Sequence, residues 1–385
     1  MKKILLSFII TLTLFVSFFY LNYKIKLKAN VNEELELLLD AKSGVLIEHK
    51  TNKILYSKNE NDRLAPASMT KIMTMLLVME HIDSNSMSLN DLVTTPKEAS
   101  SLGGSQIYLS EGEKMSVNDL LKAMCIASAN DAAMSLAVYI GGSEKNFVKM
   151  MNDKVKELGL LNTNFINPYG FDDPNHYSSS YDMAIIASHL INNHPFILKY
   201  TSTYEDYVRE DTEKRFWLVN TNKLVKFLDG CDGLKTGWTN NSGYCLTATI
   251  SKNNERFIAV TMGNSSPSIR NSEISNLLNY GITNYETKTL LSKGQIIKEI
   301  DDISMKPKHI VLRSTKDVVI VKMKNENIKD FEFVENIDLS NNRNYIDVYY
   351  DKKLYSRVYL SCNEEIKKAS IFDLMLEVMK KIFLS

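Results

Sequence analysis

Ser68-Met69-Thr70-Lys71 is the only Ser-x-x-Lys in the chain, and its reading decides how the rest is understood. Pro66 just precedes it, and the apolar run Ile72-Met73-Thr74-Met75-Leu76-Leu77-Val78-Met79 follows. A proline in or near the first turn and an unbroken run of mostly good helix formers place Ser68 at a helix N-terminus. Three residues on, Lys71 falls on the same face one turn above, within reach of the Ser68 hydroxyl. A serine becomes a nucleophile when a base takes its proton, and an amine of lowered pKa can serve. The N–H groups of a helix start favour negative charge developing nearby. Alone, the same tetrapeptide is more often a capping serine followed by a surface lysine, so its meaning depends on what lies downstream.

Composition bounds the answer first. At 385 residues the chain is too long for one ordinary core, and two domains plus terminal segments are expected. Lys+Arg and Asp+Glu balance at 46 each, and nothing in that balance points to nucleic acid or another polyanion. Cys125 sits in the helix-like Leu120-Leu121-Lys122-Ala123-Met124-Cys125-Ile126, and Cys245 in the strand-like Tyr244-Cys245-Leu246-Thr247-Ala248-Thr249-Ile250. With Cys231 and Cys362 they make neither a disulfide scaffold nor a pair at metal-ligand spacing. No metal and no cofactor are expected.

Both ends point to a membrane. Lys2-Lys3 precede the uncharged run Ile4 to Leu21, and Tyr23-Lys24-Ile25-Lys26-Leu27-Lys28 follows. Residues 1–29 therefore read as an export signal. Their apolar run nears the ~20 residues of a membrane span, and Ala29 with Leu27 makes a weak cleavage site, so an uncleaved anchor is the alternative. At the other end, Asp373, Glu377, Lys380 and Lys381 fall on one narrow stripe of a helical projection from Ser370, with Ile, Phe, Leu, Met and Val around the rest. Behind the polar Asn363-Glu364-Glu365-Ile366-Lys367-Lys368 hinge, this reads as a helix lying on a membrane surface rather than in a core.

Between the ends, residues 33–60 look like hairpin material, with strands over Leu37-Leu38-Leu39-Asp40, Gly44-Val45-Leu46-Ile47 and Ile54-Leu55-Tyr56. Helices are expected at 69–82, 117–127, 130–140, 144–158, 179–192 and 271–283, and strands at 217–220, 243–250 and 256–263. Strands at both ends of a helical middle suggest an α+β domain whose terminal strands share one antiparallel sheet. After Tyr285 short alternating segments, such as Val318-Val319-Ile320-Val321-Lys322-Met323 and Phe331-Glu332-Phe333-Val334, read as a small all-β module.

Two further elements give the serine and lysine their meaning. Ser128-Ala129-Asn130 lies between two helical stretches, where a turn can present both polar side chains to a cleft. By itself it is weak, because Ser57-Lys58-Asn59 and Ser116-Val117-Asn118 fit the same pattern. Lys235-Thr236-Gly237 is the only Lys-Thr-Gly and opens a strand-like region after the turn Asp229-Gly230-Cys231-Asp232-Gly233. The order Ser-x-x-Lys, Ser-x-Asn, Lys-Thr-Gly is the motif set of penicillin-binding proteins and serine β-lactamases.

The chain resembles the low-molecular-mass penicillin-binding proteins, the serine-type D-alanyl-D-alanine carboxypeptidases, over roughly residues 33–285. Leu64-Ala65-Pro66-Ala67 before the serine, Gly112-Glu113, Ala127 to Ala133, Glu157-Leu158-Gly159-Leu160, Asn167-Pro168-Tyr169-Gly170 and Asp232-Gly233-Leu234 through Trp238-Thr239 all look like that family. The resemblance implies a transpeptidase-like domain over 33–285, an antiparallel sheet with a helical subdomain. It also implies a small all-β domain over 286–362 and an amphipathic anchor helix over 363–385. Removal of the terminal D-alanine of peptidoglycan stem pentapeptides, at the outer face of the bacterial cell membrane, and covalent capture of β-lactam antibiotics are the implied activities. By resemblance Ser68 is the nucleophile and Lys71, buried beside a second cation, its base. Ser128 relays a proton to the leaving amine, while Asn130 orients Lys71 and the substrate amide. Lys235 and Thr236 hold the substrate carboxylate, and the Lys235 charge depresses the pKa of Lys71. Gly237 allows close approach, so that the N–H groups of Ser68 and Trp238 form an oxyanion hole. Arg270 matches a family arginine near the carboxylate pocket, with a solvated surface arginine as its other reading.

Three rival functions share this chemistry. A β-lactamase of the commonest class needs a Glu-x-x-Leu-Asn glutamate. The nearest match, Glu157-Leu158-Gly159-Leu160-Leu161-Asn162, has its asparagine one residue late. A penicillin sensor normally carries a cytoplasmic signalling domain, and few residues precede the apolar N-terminal run. An endopeptidase or transpeptidase side activity is compatible with the sequence.

Overall fold

The computed structural model describes residues 36–210, 212–327 and 330–383. The segment expected to serve as export signal or anchor, residues 1–29, lies outside the described residues. The described chain divides after Asp40, and residues 36–40, before that point, contain no helix or strand.

In the larger unit the chain opens with strands β1 (Ser43–Glu48) and β2 (Ile54–Lys58). A 3-10 turn at Ala67–Thr70 runs into helix α1 (Lys71–Asp83). Helices α2 (Val117–Ile126), α3 (Asn130–Gly141), α4 (Glu144–Glu157) and α5 (Ser180–Asn193) make up the helical middle. Strands β3 (Cys231–Thr239), β4 (Gly243–Lys252) and β5 (Glu255–Asn264) then lead to helix α6 (Pro267–Asn284). The expected α+β pattern is thus present, with helix limits close to those read from the sequence.

The five strands form one antiparallel sheet in the order β2-β1-β5-β4-β3, so β1 lies beside β5 with Val45 opposite Val260. Sequence-distant strands meet as expected of terminal strands sharing a sheet. Two strand expectations need correction. Leu37–Asp40 forms no strand. Strand β3 starts at Cys231, inside the stretch read as a turn, because Cys231 and Gly233 pair with Ile250 and Thr249 across a register shift.

Helix α1 explains why its sequence is apolar all round. Every residue from Lys71 to Met79 is buried, so the helix passes through the core rather than along its surface. That path carries Lys71 into the interior with it. Helices α5 and α6 pack on the sheet.

Beyond α6, the strand Tyr285–Leu291 pairs with Val318–Met323. A second five-stranded antiparallel sheet follows in the spatial order Ile296–Asp301, His309–Ser314, Lys353–Ser361, Arg343–Tyr350, Glu332–Asp338. Its core of Ile310, Leu312, Ile346, Val348 and Val358 is a separate cluster from the one around α1. The all-β texture after Tyr285 is therefore realised. Helix α7 (Ile371–Phe383) ends the described chain; the Ser370 hydroxyl accepts from Asp373 N at 3.2 Å and caps it.

Candidate active site

Ser68 lies in the 3-10 turn that precedes α1, and the turn is shaped from two sides. Ala67 has a left-handed φ of 48°, and Gly170, itself at φ 97°, sits against the Ala67–Ser68 peptide. A Cβ on Gly170 would fall 1.9 Å from the Ala67 carbonyl oxygen. On the other side, a Cβ on Gly237 would fall 2.7 Å from the Pro66 carbonyl oxygen, so β3 runs directly against the turn. The glycine of Lys-Thr-Gly is required by that approach.

Lys71 is completely buried, and its Nζ has three near neighbours: Ser68 Oγ at 3.0 Å, Asn130 Oδ1 at 2.7 Å and the Tyr169 carbonyl oxygen at 2.7 Å. Asn130 cannot be turned round, because its Nδ2 donates to the Gly103 carbonyl at 2.8 Å. The Tyr169 carbonyl is set by Asn167, whose Oδ1 accepts from Tyr169 N, Gly170 N and Phe171 N at 3.3, 2.6 and 3.1 Å. Two of the three neighbours can only accept. A neutral amine has two hydrogens and one lone pair. With both hydrogens donated to Asn130 and Tyr169, the lone pair is left facing the Ser68 hydroxyl.

The electrostatics favour that neutral form. Burial holds the Lys71 pKa well below its ordinary value, the charge of Lys235 lowers it further, and the buried Asp131 carboxylate opposes both. Asp131 is occupied by the backbone N–H groups of Ile107 and Leu109 at 3.1 and 3.0 Å, which ties the segment before α2 to the start of α3. Lys235 is likewise buried; desolvation, with a contribution from Arg270, pushes its pKa down to about 7.

The remaining motif residues gather around the same cleft, a cavity of about 560 Å³ whose lining includes Ser68, Ser128, Thr236, Gly237, Trp238 and Arg270. Ser128 adopts a left-handed φ of 65° in the turn between α2 and α3, a strained conformation, and lines the cleft. Lys235 Nζ donates to the Thr236 carbonyl at 3.1 Å. Trp238 is half exposed at the mouth, its ring 5.9 Å from that of Tyr244. Arg270 is 5% exposed, with Nη2 donating to Asn271 Oδ1 at 2.8 Å, so it is a buried wall of the cleft and not a solvated surface group. All nine residues singled out in the sequence are therefore brought together. Among the described residues lining the cleft, none is a carboxylate. Glu157, the near-match to a β-lactamase glutamate, is instead exposed at the end of α4 and paired with Lys154 at 2.7 Å.

Sequence reading assigned no role to several residues that shape this site. The Tyr169 carbonyl is a backbone group and leaves no side-chain signature; only Asn167 and Gly170 betray its turn. Thr221 belongs to no motif, yet its Oγ1 accepts from Thr236 Oγ1 at 2.7 Å. His176 packs beneath the Ser-x-x-Lys turn, where its Nε2 lies 2.8 Å from Thr70 Oγ1.

Similarity to known proteins agrees with this geometry. Residues 29–266 match the D-alanyl-D-alanine carboxypeptidase family. The chain is 50% identical over 295 residues to the D-alanyl-D-alanine carboxypeptidase DacF of Bacillus subtilis, covering 77% of this chain and 76% of that protein. Penicillin-binding protein 5 of Haemophilus influenzae superposes with a TM-score of 0.73 at 30% identity, over 86% of this chain and 98% of that one. Penicillin-binding protein D2 of Listeria monocytogenes, solved in its ampicillin-bound form, superposes at 0.58 with 31% identity, over 64% of this chain and 99% of that one.

Proposed function

The chain belongs to the D-alanyl-D-alanine carboxypeptidase family, and from that premise we propose how its own residues carry the reaction. It is a serine-type peptidase that removes the C-terminal D-alanine of peptidoglycan stem peptides. The observation that carries the residue assignment is the coordination of Lys71: two fixed acceptors take its hydrogens and Ser68 Oγ stands 3.0 Å from its nitrogen.

Ser68 Oγ attacks the carbonyl carbon next to the terminal D-alanine while its proton passes to the Lys71 lone pair. The N–H groups of Ser68 and Trp238 receive the oxyanion. The C–N bond then breaks, and Ser128 hands the leaving amine a proton drawn from Lys71. This leaves an ester on Ser68 and a neutral Lys71. Water attacks the ester and gives a proton to Lys71, which returns it to Ser68 as the shortened peptide leaves. Lys235, Thr236 and Arg270 hold the terminal carboxylate, and Asn130 keeps Lys71 in place. A β-lactam enters the same sequence through its ring amide and acylates Ser68 without losing its leaving nitrogen.

The organisation proposed with this chemistry is a catalytic domain over 33–285, an all-β domain over 286–362 and an anchor segment over 363–385, behind an export segment over 1–29. The enzyme would act on the outer face of the cell membrane, with α7 lying on the lipid. Support comes from the two separate cores and from the exposure of Ile371, Phe372, Met375, Met379 and Ile382 on α7.

The test is incubation with a fluorescent penicillin followed by denaturing gel analysis, beside D-alanine release from a stem pentapeptide. Wild type is expected to become labelled and to release D-alanine, and Ser68→Ala to do neither. Label persisting on Ser68→Ala would overturn the assignment.

A further inference from the structure

Asn220-Thr221-Asn222 is a loop built as a bracket. Asn220 and Asn222 are 2% and 1% exposed. The Asn220 amide donates to the carbonyls of Thr201 and Thr203 at 3.0 and 2.8 Å and accepts from Asn222 N at 2.8 Å. Asn222 Nδ2 donates to the Gly233 carbonyl at 2.8 Å, fastening the loop to β3, and Thr221 N donates to the Ile126 carbonyl at 3.2 Å. The residue between the two asparagines is thus held on both sides, and its side chain enters the cleft. There Thr221 Oγ1 lies 2.7 Å from Thr236 Oγ1 and, at a longer 3.4 Å, from Lys235 Nζ.

We propose that Thr221 is a specificity-determining residue for the substrate's terminal carboxylate, acting with Thr236 as a hydroxyl pair. Each hydroxyl has one proton. At 2.7 Å one of the two donates to the other, so the pair always retains one O–H that is not spent internally. Thr236 donates to Thr221, so the free proton belongs to Thr221. An anion placed between the pair, Lys235 and Arg270 meets a donor whose oxygen is already fixed by the bond it accepts. Without Thr221 the O–H left over for the anion is gone, and Thr236 must turn its own proton out of its present, fixed direction to replace it. The bracket of buried asparagines explains how a loop residue can be placed with the accuracy this needs. This inference rests on the assignment of the cleft to an acyl donor ending in a carboxylate.

The experiment uses the full chain and two acyl donors with the same acyl part, one ending in D-alanine and the other in D-alanine carboxamide. Acylation of Ser68 is followed for wild type, Thr221→Val, Thr221→Ser and Ser68→Ala. Wild type is expected to favour the carboxylate donor. Thr221→Val should reduce that preference about tenfold, the scale of one hydrogen bond to a charged group. The loss should sit in KM for the carboxylate donor, with the carboxamide rate kept, and Thr221→Ser should restore the preference. Thr221→Ala gives the same reading should the valine variant fail to fold. Equal loss on both donors would assign Thr221 a purely structural role and overturn the proposal, as would an unchanged preference. If wild type is not acylated at Ser68, or shows no preference for the carboxylate, the assignment of the cleft itself falls.

Discussion

Lys71 Nζ and Asn130 Oδ1 are 2.7 Å apart, and the asparagine's other end is anchored to the Gly103 carbonyl. This contact fixes where the lysine lone pair points. Asn130→Ala removes the fixed acceptor and lets the amine swing, and misplacement of a catalytic group on that scale lowers rates by roughly 100-fold. Asn130→Asp keeps an acceptor but adds a negative charge beside Lys71, which raises its pKa. Acylation rate against pH checks both: the alanine variant should be slow at every pH, and the aspartate variant should have its rising limb displaced to higher pH. An aspartate variant with an unmoved limb would mean that Lys71 is not the titrating base.

Lys235 gives a second pH prediction, with two opposing parts. The base must be neutral, so acylation rises with pH through the pKa of Lys71, which the Lys235 charge lowers. Lys235→Gln removes that charge, raises the Lys71 pKa and moves the rising limb to higher pH. A donor ending in carboxamide isolates this effect from carboxylate binding. In wild type, Lys235 loses its own proton as pH rises past about 7, so KM for the carboxylate donor should climb above that pH. A Lys235→Gln profile that coincides with wild type on the carboxamide would show that the two lysines are not coupled.

Gly170 and Gly112 separate backbone strain from site geometry. Both have positive φ, at 97° and 77°, but a Cβ on Gly170 would strike the Ala67 carbonyl whereas one on Gly112 would meet nothing within 4 Å. Gly112→Ala should lose about 1 kcal/mol of stability, the low end of backbone strain, with acylation unchanged. Gly170→Ala should lose more and also slow acylation by on the order of 100-fold, since the Ser68 turn must shift. Thermal unfolding and penicillin acylation measured on both variants check the contrast.

These positions also show what the sequence could and could not reveal. Helix α1 was legible because its apolar run is unbroken, and burial on all sides is its structural counterpart. Ser68, Lys71, Ser128, Asn130, Lys235 and Thr236 were legible because their chemistry resides in side chains at characteristic spacings. The Tyr169 carbonyl was not, since any residue type can supply a carbonyl. Thr221 was invisible for a different reason: it sits in a short polar loop with no periodicity and acquires a role only when β3 brings Thr236 to it. Leu37–Asp40 misled because a run of three leucines looks like a strand whether or not its backbone pairs with a neighbour.

His176 makes stability depend on pH below neutrality. Its Nδ1 accepts from Ile166 N at 3.0 Å, so Nε2 carries the hydrogen and donates to Thr70 Oγ1 at 2.8 Å. Burial pushes the pKa down to about 4, against an ordinary value of 6.5. The unfolded chain therefore takes up a proton near pH 6.5 that the folded protein refuses until about pH 4. The stabilisation is complete above 6.5 and is lost progressively as pH falls between those values, by about 3 kcal/mol in total at 1.36 kcal/mol per pKa unit. His176→Phe lacks the titration: it should be less stable than wild type at pH 7.5 yet lose less stability on going to pH 5. Denaturant unfolding at the two pH values measures this, and equal losses in both proteins would exclude His176 as the group responsible.

Helix α7 is too short to cross a bilayer. Its 13 residues span about 20 Å at 1.5 Å per residue, short of the ~30 Å hydrocarbon core of a bilayer. Among the described residues no helix is long and apolar enough to cross a membrane. Phe372, Met375, Met379 and Ile382 recur at helical spacing and are 71%, 61%, 53% and 66% exposed, an apolar stripe suited to lying on lipid. At the start of the helix, Asp373 is paired with Lys306 at 2.9 Å, which orients the helix against the all-β region. Each large side chain sunk into lipid contributes roughly 1.5–3 kcal/mol, so replacing Phe372 and Ile382 by Glu should weaken vesicle binding at least tenfold. Deleting residues 363–385 should abolish sedimentation with phosphatidylglycerol-containing vesicles while leaving D-alanine release from a soluble pentapeptide intact. The protein used should begin after residue 29, so that the uncharged run Ile4 to Leu21 contributes nothing to the sedimentation. Continued sedimentation of that deleted protein would assign membrane contact to another surface, and loss of soluble-substrate activity would make α7 part of the catalytic fold.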